Sequence, residues 1–77
     1  MKDLVEYLAR ALVDNPDEVT VESFEEVDGT IVYELRVAEG DVGKVIGRSG
    51  RTVNALRTVV RAAATRDGRR VLVDVVD

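Results

Sequence analysis

The stretch Val45-Ile46-Gly47-Arg48-Ser49-Gly50-Arg51-Thr52-Val53 holds two glycines three apart, a basic residue between them, and apolar positions on both sides at helical spacing. Neither glycine has a Cβ, so the backbone can turn sharply here and come close to a ligand. The ligand suited to such a turn is a phosphate, because the N–H groups near Ser49 to Arg51 open a helix whose N-terminus carries partial positive charge. Upstream, Val42, Lys44, Val45 and Ile46 read as a short helix capped by Asp41 and ended by Gly47. Downstream, Val53, Leu56, Val60 and Ala63 form the apolar stripe of a longer helix. Its other side is polar and basic, with Arg51, Asn54, Arg57, Thr58, Arg61 and Thr65, and Asp67-Gly68 stops it.

The remaining elements follow from periodicity. Leu4, Leu8 and Leu12, with Val5, Tyr7 and Ala11 beside them, predict an amphipathic helix from about Asp3 to just before Asn15-Pro16. From Glu18 to Val27 the pattern alternates as a strand, with Val19 and Val21 on one face and a bulge at Ser23-Phe24 as the way to turn Phe24 inward. Asp28-Gly29 reads as a two-residue hairpin turn into Ile31, Tyr33, Leu35 and Val37. Val71, Val73 and Val75 make a last strand. The order is α-β-β-α-α-β, and the two-helix connection is long enough for a right-handed crossover to a parallel neighbour. The expected fold is an α+β domain over residues 1–77, a three-stranded mixed sheet with helices on one face.

Composition narrows the function. The 77 residues include no cysteine and no histidine, which removes thiolate metal sites, disulfides and the commonest general base. Gly43-Lys44 is not a P-loop, since Ala38 stands at its first glycine position and Val45 at its Ser/Thr position. Ser49 has no histidine to activate it, so neither a catalytic residue nor a small-molecule substrate is expected. With no apolar run near the ~20 residues of a membrane span and no signal-peptide core, the expected compartment is the cytoplasm.

The net charge of −4 hides an asymmetry. Residues 1–43 hold three basic and twelve acidic side chains, and residues 44–77 hold eight basic and three acidic. The basic half begins where the glycine motif begins, which points to a polyanion gripped by that half. The acidic run from Asp17 to Asp28 would keep such a ligand off the opposite side.

The Val45-Ile46-Gly47-Arg48-Ser49-Gly50 motif between two short helices, in a chain of this order, resembles the K-homology (KH) domain of the prokaryotic, type II arrangement. With Asp41-Val42-Gly43-Lys44 before it, the whole chain is similar to the small bacterial KH-domain RNA-binding proteins. The resemblance implies a post-transcriptional regulator or RNA chaperone with no cofactor. It would clamp single-stranded RNA through Gly47, Arg48, Ser49 and Gly50, with Val45 and Ile46 as apolar wall of a shallow groove. Lys44, Arg51 and Arg57 are placed to reach flanking phosphates. Only Tyr7, Phe24 and Tyr33 are aromatic and none is beside the motif, so a stacking platform is not expected. The alternative is an assembly module, a KH fold that works mainly by forming a homodimer or a heterodimer with another KH-containing protein.

Overall fold

A computed structural model of the chain describes residues 1–76. It contains α1 (Lys2–Leu12), β1 (Thr20–Glu25), β2 (Ile31–Arg36), α2 (Val42–Ile46), α3 (Arg51–Arg66) and β3 (Val71–Val76), with short 3₁₀ turns at Pro16–Glu18, Glu39–Asp41 and Arg48–Gly50. The sheet has the order β1-β2-β3, with β1 antiparallel and β3 parallel to the central β2. This is the α+β, three-stranded mixed sheet of a type II KH domain.

The core lies between the sheet and the helices. Val21, Tyr33, Leu35, Val71 and Val73 point inward from the strands to meet Val5 and Ala9 of α1, Val45 of α2, and Leu56, Val60 and Ala64 of α3. Alternate residues of each strand therefore face away from the helices, because side chains of a strand point to opposite faces with period two. On α1 the fully buried line is Val5 and Ala9, while Leu4, Leu8 and Leu12 flank it half-buried. On α3 the stripe ends at Ala64 rather than Ala63, the i+4 neighbour of Val60 on the same helix face.

Two local expectations change. The β1–β2 pairing runs unbroken from Thr20↔Arg36 to Glu25↔Ile31, so no bulge occurs and Phe24 points outward. The hairpin turn is also longer than Asp28-Gly29. The N–H of Glu26 donates to the Thr30 carbonyl at 2.7 Å and that of Gly29 to the Glu26 carbonyl at 2.9 Å, which leaves Val27, Asp28 and Gly29 as a three-residue loop with Gly29 at φ 89°. Asp28 Oδ1 accepts from the Thr30 N–H at 2.9 Å. That bond, with Arg70 adding a smaller attraction, holds the Asp28 carboxyl below its usual range.

Candidate nucleic-acid interface

The turn between α2 and α3 is built from backbone conformations that L side chains rarely adopt. Gly47 lies at φ 75° and ψ 174°, Ser49 at φ 56° and ψ 27°, and Gly50 at φ 76° and ψ 10°. Gly47 is required twice over: a Cβ there would sit 2.6 Å from the Thr52 Cβ and 2.9 Å from the Thr52 backbone nitrogen. Ser49 holds its left-handed conformation at a cost of roughly 1–2 kcal/mol. The Gly50 N–H donates back to the Gly47 carbonyl at 3.2 Å, closing the turn. None of the described loop and cap hydrogen bonds uses the N–H of Arg48 or Ser49. Both side chains are exposed, directly before the positive end of α3.

Behind the turn, α2 is held by a contact that the sequence did not disclose. Asp41 does not cap α2 with its side chain. The residue is 1% exposed, and its Oδ2 accepts from the Asn15 backbone N–H at 2.9 Å and from the Asn15 Nδ2 at 3.0 Å. Burial pushes this carboxyl up, but the hydrogen bonds from Asn15 and Asp14 and the nearby Lys44 outweigh it, leaving it below its usual range. The segment after α1 is thus tied to the start of α2, and the helix that carries the turn cannot swing freely.

The other candidate residues fall in different places. Arg48 and Arg51 are exposed at the turn and the start of α3, with no carboxylate within 4.0 Å among the described residues. Lys44 is partly engaged, its Nζ lying 3.2 Å from Asp14 Oδ2. Val45 is 0% exposed and belongs to the core, so it presents no wall to a groove; on α2 it faces inward while Ile46, turned by about 100° from it, does not. Ile46 is half-buried at the surface beside the turn. Arg57 is a bridge: its Nε donates to the Val73 carbonyl on β3 at 3.0 Å, and its guanidinium lies 3.4 Å from Asn54 Oδ1.

That bridge marks a groove between α3 and β3, an edge strand of the sheet. An open hollow of about 310 Å³ is lined by Val32, Asn54, Arg57, Arg61, Leu72, Val73 and Asp74. A second, of about 420 Å³, continues it with Arg61, Thr65, Arg69 and Arg70. Arg61, Arg69 and Arg70 were not singled out from the motif, although the charge asymmetry of the chain already pointed to this half. Arg70 is loosely paired with Asp28 at 3.8 Å; Arg61 and Arg69 have no acidic partner among the described residues.

Comparison with known proteins bears on the family and the fold. A family model described as KhpA/KhpB, KH domain, matches residues 2–75. The chain is 55% identical over 78 residues to the RNA-binding protein KhpA of Halalkalibacterium halodurans, covering 100% of both chains. It is 50% identical over 78 residues to that of Clostridium acetobutylicum, covering 99% of this chain and 100% of the relative. For the protein of that name from Chlamydia trachomatis serovar D the identity is 44% over 79 residues, covering 100% of this chain and 97% of the relative. Among solved structures, Era of Aquifex aeolicus bound to GDP and aluminium fluoride matches with a TM-score of 0.65 at 20% identity, over 95% of this chain and 28% of that one. Era in complex with MgGDPNP and a segment of 16S ribosomal RNA matches with the same TM-score, identity and coverage. At that identity the likeness is one of fold.

Proposed function

The chain belongs to the KhpA/KhpB KH-domain family, and on that premise we propose that it grips single-stranded RNA through the Gly47-Arg48-Ser49-Gly50 turn. The observation that carries this reading is the turn itself: a positive-φ backbone that admits a phosphate closely, N–H groups at Arg48 and Ser49 that none of the described loop and cap hydrogen bonds uses, and a guanidinium beside them with no acidic partner among the described residues. Arg51 supports the same phosphate run from the first turn of α3, and Arg61 and Arg69 extend positive charge along the groove. Ile46 supplies apolar contact beside the turn. The relatives' shared designation as RNA-binding proteins supports the polymer. The protein acts as a cytoplasmic post-transcriptional regulator or RNA chaperone, without catalysis.

The test replaces Arg48 and Ser49 together by aspartate. Aspartate tolerates the left-handed conformation of Ser49 better than most residues, so the fold stays intact while the turn becomes anionic. Affinity for a single-stranded RNA oligonucleotide, read by fluorescence anisotropy, should fall roughly tenfold or more, with the melting temperature little changed. Full RNA affinity in the folded variant would refute the site.

A second reading concerns assembly. The joint description of the family supports pairing with another KH-containing protein, and Tyr7 on α1 and Val59 on α3 are 71% and 48% exposed. Sedimentation across a concentration range separates the two roles. The Arg48/Ser49 aspartate variant should associate as the parent does while losing RNA.

A further inference from the structure

The face of the sheet turned away from the helices carries two rows of side chains in register across all three strands. Phe24 lies opposite Val32, and Val32 opposite Leu72. One step along, Glu22 lies opposite Glu34, and Glu34 opposite Asp74. Phe24 is 48% and Leu72 47% exposed, with Val32 half-buried between them. From strand spacing, each row is about 10 Å long and the rows lie about 7 Å apart.

We propose that this face docks a lysine- and arginine-rich segment of a partner protein, one that carries apolar side chains between its basic ones. Like charges placed directly opposite work against strand pairing, and here two such oppositions stand side by side. Among the described residues none of the three carboxylates has a basic group within 4.0 Å. The cations nearest on that side are Arg36, one row further along, and Arg57 and Arg61, which reach round the β3 edge beside Asp74. The uncompensated acidic row asks for cations from outside, and the apolar row beside it asks to be covered. An extended segment in which basic and apolar residues alternate meets both, because its i and i+2 side chains are also about 7 Å apart.

RNA does not fit this face, since its phosphates would meet three carboxylates. A second copy of the chain fits poorly as well, because on this face it offers Arg36 alone against its own three acids. A basic segment, by contrast, would also be drawn to the protein by the acidic half of the chain. The face is turned away from the helices; only its β3 side, at Val32, Leu72 and Asp74, borders the hollow beside Arg57 and Arg61, and its β1 side, at Glu22 and Phe24, stands clear of that groove.

The experiment uses the full chain, ¹⁵N-labelled, titrated with a short synthetic peptide of alternating lysine and leucine. Parallel titrations use the glutamate–leucine counterpart and a single-stranded RNA oligonucleotide. The lysine peptide should shift the amides of residues 22–24, 32–34 and 72–74 saturably, with the glutamate peptide leaving all of them in place and the RNA leaving residues 22–24, which lie away from the α3–β3 groove, in place. Leu72→Thr, or Glu22→Gln with Glu34→Gln, should weaken peptide binding about fivefold or more. Should Leu72→Thr fail to fold, the shift map of the parent and the glutamine pair still decide. Shifts confined to Asp14–Glu18 or α1, no binding, undiminished binding by the glutamine pair, or RNA moving the amides of residues 22–24 would each overturn the proposal.

Discussion

Replacing the glycines of the α2–α3 region one at a time tests whether the turn has the shape that the RNA clamp requires. At Gly47 an alanine must hold φ near 75° with ψ near 174°, a region that is almost exclusive to glycine and costs roughly 1–3 kcal/mol. Its Cβ would also lie 2.6 Å from the Cβ and 2.9 Å from the nitrogen of Thr52, so the first turn of α3 has to move. Overpacking of that kind adds roughly 1–3 kcal/mol. A domain of this size has about 4–12 kcal/mol of stability at ~0.05–0.15 kcal/mol per residue. Each kcal/mol moves the midpoint by about 4–8 °C. Gly47→Ala should therefore lower the melting temperature by at least ~8 °C and abolish RNA binding. Gly50→Ala meets only Asn54 Nδ2 at 3.7 Å, so its cost comes from φ 76° alone. That cost is about 1–2 kcal/mol. Gly43→Ala, inside α2 with open space around the added methyl, should stabilise, by about 0.4–1 kcal/mol. Thermal melts of the three variants give the order. A Gly47→Ala protein melting within a few degrees of the parent, or below Gly50→Ala in its effect, would refute the steric reasoning.

Arg57→Lys keeps the charge but loses the Nε bond to the Val73 carbonyl. Bonds of that type contribute about 1.5–3 kcal/mol, so the variant should melt lower while the salt dependence of RNA binding holds steady; an unchanged melt would deny the bridge. Asp41 has a folded pKa below its ordinary 3.8. Its contribution is therefore complete above the unfolded value and is lost as pH falls through the folded one. Melting temperature against pH should show Asp41→Asn well below the parent at neutral pH and closer to it near pH 3; parallel curves would contradict this. Finally, a clamp that neutralises three or four phosphates should give a slope of log affinity on log salt near −2 to −3, at about −0.7 per phosphate. A slope near zero would remove the electrostatic part of the mechanism.

Much of the architecture is readable without coordinates because the periods are clean. Ile31, Tyr33 and Leu35 alternate without a break, and Val53, Leu56 and Val60 step at helical spacing, so β2 and α3 follow directly. Misreadings fall where two local rules compete. Asp28-Gly29 satisfies a two-residue turn as well as the last two positions of a three-residue one, and only the Glu26–Thr30 pairing decides between them. Asp41 stands at a helix start and looks like a cap, yet its carboxylate is taken by Asn15, 26 residues away in the chain. Val45 and Ile46 are adjacent apolar residues with the same propensities, but a helix turns each neighbour by about 100°. One becomes core and the other surface.

The sequence alone determined the element order, the two glycines that the turn demands, and the split between an acidic first half and a basic second half. These depend on properties of single residues and near neighbours: Cβ sterics, hydrophobic period and charge. Tertiary structure decided which arginines stand free at the turn and which, like Arg57, are spent on bridging α3 to β3. It also decided that Glu22, Glu34 and Asp74, scattered along the chain, form one row beside Phe24, Val32 and Leu72. Strand register is a relation between distant segments, set by which apolar face must be buried, and it places the outward residues as a consequence.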